Sequence, residues 1–303
     1  MKVSALALVR NGTRLDLPFI ESIRSGLPLC DEFIVVVGRG ADDTRERVAA
    51  IGDPRIRIVD TEWSDRVSPR KCVLAQQTNI GLHLCTGDWV VCLQANDVLH
   101  EDALPDLREA MRMHVDDPRI EALLFERLTF WGDYTHVLRT YPDRFKYTAR
   151  ILRPYIGTFS IRDAMSFAVF DGFSKRGRYP RSIDTGQDLH RYGFLGPPER
   201  FAVKNAVAVH WGDNPLADAE RFLYQTHPRR FIVPFTGTHP AVMQARIAAS
   251  TFRMDDASPL WRTRPTLREW ARWWETRLYE RFGLPAWRSP RQRLQGRFLP
   301  KSR

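Results

Sequence analysis

Through the first hundred residues, short apolar runs alternate with segments of mixed polarity. Val3–Val9, Phe33–Val37 and Trp89–Leu93 are apolar runs of strand length, and Ile56-Arg-Ile-Val59 reads as a further strand. Continuous runs of this kind, as opposed to alternating ones, predict strands buried on both faces. Between them lie helical segments. Asp16 is placed to cap a helix through Phe19, Ile20 and Ile23 to Gly26, and a second helix follows Thr44 from Arg45. A third begins near Leu74, with Ile80, Leu82 and Leu84 completing an apolar side, and ends at Gly87, a residue able to leave a helix with positive φ. A fourth runs over Leu107–Met113. Strands alternating with helices specify a mostly parallel, Rossmann-like sheet with helices on both faces, an α/β fold.

Each apolar run stops at a polar knot: Arg10-Asn11-Gly12, Gly38 to Thr44, Asp60, and Gln94-Ala95-Asn96-Asp97. Taken singly, each reads as a turn. Taken together they mark the carboxyl ends of successive parallel strands, where open α/β sheets bind ligands. Beyond Asp106 the pattern changes. Ala122–Phe130, Ala149–Leu152 and Ser166–Phe170 read as strands in a region rich in aromatic residues and arginine. Near the C-terminus Thr266 and Glu269 have capping-box spacing. Leu267, Trp270, Ala271, Trp274 and Leu278 then share one helical face, and Gly283 and Pro285 close the helix.

The 303 residues are 43% hydrophobic, enough for a sizeable core. Four cysteines without a CxxC pair argue against a metal cluster or a disulfide framework and suggest a reducing cytoplasm. The apolar stretch Val3–Val9 is too short to cross a bilayer. The net charge of +10 is concentrated in residues 259–303, where twelve Arg or Lys against three Glu leave +9. Such a tail calls for an anionic partner. Trp on one side of its helix and Arg on the other fit an anionic membrane surface, or packing of that stripe on the body. Nucleic acid is not expected, because the charge is confined to the tail.

The central stretch resembles glycosyltransferase family 2, the inverting enzymes of GT-A fold. Asn79, Gly81, Gly87, Asp88 and Asp97 match the family's helix–turn–strand signature, whose strand ends in an acidic D-x-D motif. Gln94 and Asn96 stand where the family usually has aspartates. The resemblance implies a nucleotide-sugar donor contacted by Arg10, Asn11, Gly38, Asp60, Gln77, Asn79, Gln94, Asn96 and Asp97. Gly38 falls where an aspartate would bind the base, and Asp60 is a further base or ribose contact. It also implies a divalent cation, Mg²⁺ or Mn²⁺, held by Asp97, Asn96 and His190 and weakened by the neutral Gln94 and Asn96. No organic cofactor is expected. His190 to Glu199 and Thr236 to Met243 are similar to a bacterial branch acting in envelope polysaccharide synthesis; His210 rivals His190 for the metal role.

Inverting transfer needs a carboxylate within reach of the acceptor hydroxyl. Asp163 is the preferred base. Asp188 is the alternative, in the register where Gly186-Gln187-Asp188 is similar to the family's G-E-D motif. The likeness covers about residues 3–245. It implies a glycosyltransferase body over 1–245, with a donor half to about 115 and an acceptor half beyond, followed by a helical basic extension over 246–303. The expected activity is transfer of a sugar to a glycan or lipid-linked acceptor in the cytoplasm, peripheral on the inner face of the membrane. The alternatives are a sugar- or nucleotide-binding relative with an impaired site and, more remotely, a nucleic-acid-binding protein.

Overall fold

A computed structural model describes residues 1–64, 72–139, 147–162, 164–170, 172, 177–200, 227–255, 258, 260–282 and 293–298. Its first part is built from β1 (Val3–Val9), α1 (Phe19–Gly26), β2 (Glu32–Gly38), α2 (Thr44–Ala49), β3 (Ile56–Thr61), α3 (Cys72–Leu84), β4 (Trp89–Gln94), β5 (Asp97–Leu99) and α4 (Leu104–His114). The four long strands are parallel in the order β3-β2-β1-β4, the Rossmann-type arrangement. The unbroken apolar runs have a direct cause. Val35, Val37, Trp89, Val91 and Leu93 enter a core shared with α1 and α4. The alternate residues Leu6, Ile34, Val36, Val90 and Cys92 enter a second core on the opposite face.

Three local expectations differ from the structure. Asp16 does not cap α1, which starts after Pro18 with no side-chain cap. Asp16 instead has φ 47° and pairs with Arg200 and Arg246. The buried side of α3 is Val73, Ala75, Gln77, Thr78, Gly81 and Leu82, while Ile80 is exposed. Here close approach outweighs hydrophobicity: a Cβ on Gly81 would meet Val36 Cγ2 at 2.8 Å, so small residues face the sheet. Gly87 has no positive φ. It lies against the β1 backbone, where a Cβ would sit 2.6 Å from Ser4 N and 2.8 Å from Lys2 O.

The second part comprises β6 (Ala122–Gly132), β7 (His136–Leu138), β8 (Tyr147–Leu152), β9 (Thr158–Ile161), β10 (Ser166–Val169), β11 (Arg181–Leu195), β12 (His227–Pro228), β13 (Ile232–Pro234), α5 (Gln244–Ala248), β14 (Trp261–Arg262), α6 (Leu267–Phe282) and β15 (Arg293–Arg297). β8 pairs antiparallel with β4 and with β6, continuing the sheet. The long β11 runs parallel to β6, and β5 folds back antiparallel onto β11. Glu121 fastens the start of this pair through Arg178 (2.6 Å) and Arg181 (2.8 Å). Burial raises its pKa, but these arginines outweigh burial and hold it at about 2.

The capping box is present: Thr266 N donates to Glu269 Oε2 at 2.8 Å, and Glu269 N donates to Thr266 Oγ1 at 3.3 Å. Leu267, Trp274 and Leu278 of the expected stripe face solvent together with Phe282, while Arg230 lies over Trp270 at 4.2 Å. Gly283 and Pro285 fall outside the described residues. Much of the C-terminal segment is joined to the body. Met254 and Leu260 are buried beside Trp131, Phe298 enters the main core, and β15 pairs with β11. Among the described residues no helix is long and apolar enough to cross a membrane.

Candidate functional site

Three registers align the carboxyl ends of the parallel strands. Asp60 sits beside Val37, Val37 beside Val9, and Leu8 beside Gln94. Asn11, Gly38, Asp60 and Gln94 therefore border one edge of the sheet. The strand order reverses between β1 and β4, so this edge holds the topological switch point. From Asp60 to Gln94 there are three inter-strand steps, about 14 Å.

At one end lies an open cleft of about 360 Å³, lined by Gly38, Arg39, Asp42, Arg45, Asp60 and Glu62 among others. Arg45 donates to Asp60 through Nε (2.8 Å) and Nη2 (3.0 Å), a forked pair at the surface. Trp63 covers Gly38 so closely that a Cβ there would run into the indole. The Arg10 guanidinium stands over the same ring at 5.4 Å, and its Nε donates to Arg39 O at 3.0 Å. Asn11 is buried, with φ 52°, a conformation that asparagine tolerates better than most residues. Its Oδ1 accepts from Ala41 N at 2.9 Å, tying the loop after β1 to the loop after β2.

At the other end, at β4, the Asp97 carboxylate is enclosed while Gln94 and Asn96 are half-buried. Asp97 is fully buried, and its Oδ2 accepts from Arg150 Nε at 3.1 Å and from Gln94 N at 3.3 Å. Arg150, on β8, is also fully buried. The Gln94 amide donates to Ala164 O at 3.2 Å and approaches Met165 Sδ at 3.7 Å. The same sulfur has Arg191 Nη1 at 3.6 Å. Asn96 is half-buried, and its carbonyl accepts from Tyr192 N at 2.9 Å. Ala164 and Arg162 have φ of 58° and 59°, strained for residues other than glycine. Strain of this kind against a strand end is common where a loop is held for function.

The remaining expected residues are distributed differently. Asp163 and His210 fall outside the described residues. Asn79 is turned to β9, where its amide exchanges both hydrogen bonds with Ser160 (3.1 and 2.6 Å). Gln77 is buried and donates to Glu62 O at 3.4 Å, supporting the loop after β3. Asn79 thus holds a strand and Gln77 a loop, and neither is among the residues lining the cleft. Asp188 is exposed on β11, in register with Glu126.

His190 pairs with Val98 and stacks beside Phe130 and Tyr192, whereas Arg191 pairs with Asp97. Side chains alternate along a strand, so His190 faces away from the Asp97 carboxylate. Burial, with His100 and His239 nearby, lowers its pKa to about 4, leaving the ring neutral.

The expected metal site does not fit this arrangement. Asp97 is enclosed in an ion pair with Arg150, His190 lies on the other face, and the Gln94 amide N–H is directed to a carbonyl. Of the oxygens left, the amides of Gln94 and Asn96 are neutral, and the unpartnered Asp97 Oδ1 is buried beside Arg150. Among the described residues there is no group of three His, Cys, Asp or Glu able to hold a metal ion. A hard divalent cation asks for several anionic or carbonyl oxygens converging on one point.

Trp63, Arg150, Met165 and Arg191 are additions that the sequence reading did not single out. An aromatic residue three positions after Asp60 could have drawn notice to Trp63. Arg150 and Arg191 lie in strands far along the chain, and only tertiary pairing brings them to β4.

No family model matches the chain, and no curated protein matches it. Solved structures similar to it include S. aureus TarS (TM-score 0.43, 16% identity, 74% of this chain and 42% of that chain). Another is TarS 1–349 in complex with UDP-GlcNAc (TM-score 0.41, 16% identity, 74% and 71%). A third is Mycobacterium tuberculosis glucosyl-3-phosphoglycerate synthase with Mn²⁺, UDP and glucosyl-3-phosphoglycerate (TM-score 0.29, 18% identity, 43% and 44%). The chain spans less than half the length of the full TarS chain. Scores this low assign neither a family nor a function.

Proposed function

We propose that the protein is a family 2-like glycosyltransferase that binds a nucleotide sugar along the carboxyl edge of β1 to β4. The alignment of Asn11, Gly38, Asp60 and Gln94 on one sheet edge carries this reading. The open end, with Trp63 and Arg10, suits a nucleoside; about 14 Å further on, the β4 end suits the diphosphate and the sugar. The acceptor is a glycan or lipid-linked glycan of envelope polysaccharide synthesis. In the inverting step the acceptor oxygen forms a bond to the anomeric carbon. The bond from that carbon to the diphosphate oxygen breaks, its electron pair leaving with the nucleoside diphosphate. The acceptor proton passes to a carboxylate, Asp163 or alternatively Asp188.

The exposed side of α6, with Leu267, Trp274, Leu278 and Phe282 beside basic residues, suits peripheral attachment to an anionic membrane, where such acceptors reside. Replacing Trp274 and Leu278 together by Glu should release the full chain from phosphatidylglycerol vesicles without changing its melting. Retained vesicle binding would exclude the attachment.

The donor reading is tested by thermal shift of the full chain with a panel of nucleotide sugars, since a ligand bound only by the folded state raises its stability. One sugar nucleotide should stabilise the protein and be consumed when an acceptor extract is added. Stabilisation without turnover would favour a binding protein with an impaired site. No stabilisation by any member would overturn the donor reading.

A further inference from the structure

The end of β4 joins a metal site that does not fit to an arginine that, among the described residues, lacks a counter-ion. We infer that Arg191 neutralises the donor's diphosphate in the place where a divalent cation would otherwise act. The inference rests on the donor reading above.

Two arginines approach the Gln94–Asp97 turn, and their surroundings differ. Arg150 has a counter-charge, with its Nε on the Asp97 carboxylate at 3.1 Å, although its Nη2 is buried without a hydrogen-bond partner. Arg191 differs. Among the described residues no carboxylate pairs with it, its Nε is buried without a hydrogen-bond partner, its Nη1 meets only the thioether of Met165 at 3.6 Å, and its guanidinium lies at a distant 5.9 Å from the Phe194 ring. A thioether is a weak acceptor. Half-burying a guanidinium is unfavourable unless an anion or strong acceptors meet it, so this side chain has charge and donors left for an anionic partner.

Position supports the same partner. Arg191 is directly opposite Asp97 in the β5–β11 pairing, on the Met165 side of the sheet, and it shares the Met165 sulfur with the Gln94 amide. Gln94 and Asn96 contribute no negative charge, so a diphosphate here would meet a cation and neutral polar groups. A carboxylate motif would repel that diphosphate unless a metal intervened. Neutral side chains at 94 and 96 with a guanidinium at 191 form a consistent set. A guanidinium also suits a phosphate geometrically, because its N–H groups form a fork matching two oxygens. It would stabilise the charge that develops on the leaving diphosphate as the glycosidic bond breaks.

The test uses the full chain with a panel of nucleoside diphosphates (UDP, GDP, ADP, CDP and dTDP) and the matching monophosphates, titrated with excess EDTA or with Mn²⁺. One diphosphate should bind equally well in both conditions and more tightly than its monophosphate. Arg191→Gln should weaken the diphosphate about ten- to a hundredfold while changing monophosphate affinity little, and Arg191→Lys should restore part of the loss. The inference is overturned if EDTA abolishes binding to the native chain and Mn²⁺ restores it. It is also overturned if Arg191→Gln, with a native far-UV spectrum, binds the diphosphate as the native chain does. If the glutamine variant does not fold, the EDTA arm and the lysine variant still decide. Failure of every diphosphate to bind the native chain, even with Mn²⁺, would instead remove the donor reading itself.

Discussion

At the ends of β2 and β3 the ionic groups stand in solvent. Arg45 and Asp60 form a forked pair on the rim of an open cleft, with both side chains more than half exposed. At the end of β4, Asp97 and Arg150 form a pair of similar length with neither exposed at all. The same two residue types therefore serve different purposes about 14 Å apart. The exposed pair can exchange its partners for a ligand, because water replaces whatever a ligand removes. The buried pair cannot, because separating it strands two charges in a low dielectric. An aspartate closing a strand is therefore ambiguous until its burial is known, and the metal-anchor role expected of Asp97 gives way to a structural one.

The sharpest way to break this contrast is Asp97→Ala. Leaving Arg150 buried without a counter-charge should cost about 3–5 kcal/mol of stability in denaturant titrations. An unchanged midpoint would mean that the carboxylate is available to a ligand after all.

A smaller effect belongs to the face turned away from the cleft. His190 titrates near 4 in the folded protein, below its ordinary value of 6.5, because it is buried. Between those values the unfolded chain binds more protons. Stability should therefore fall as pH is lowered from 6.5 to 4, by about 2–3 kcal/mol, with no contribution from this group above that window. His190→Gln should flatten that part of the stability–pH curve, and a curve of unchanged slope would exclude the assignment.

At the open end, Trp63→Ala should leave melting nearly unaltered and weaken nucleotide binding about tenfold, the effect of losing one aromatic platform. Equal affinity in isothermal titration would remove Trp63 from the site. The smallest stability effect is expected for Asp60→Asn, which should not move the melting temperature because its pair with Arg45 is solvent-exposed.

The sequence by itself determined the layered first half. Nearly unbroken apolar runs at Val3, Phe33 and Trp89 allow little other than parallel strands covered on both faces, because such runs have no polar side to show to water; the run at Ile56, broken by Arg57, forms the partly exposed edge strand β3. It likewise determined that the polar ends of those strands lie together, since parallel strands put their carboxyl ends on one edge. The capping box at Thr266 and Glu269 was also readable, being a contact between residues three apart. Tertiary structure decided the rest. The inward side of α3 is set by how closely Gly81 lets the helix approach Leu6 and Val36, a distance that hydrophobicity does not encode. The fifteen-residue β11 carries polar and charged positions that do not look like a strand until β6 and β5 pair with it. The chemistry at β4 depends on Arg150 and Arg191, which lie 53 and 94 residues beyond Asp97 in the chain. Whether Asp97 meets a ligand or an arginine is a question of long-range contact and burial, and local sequence contains neither.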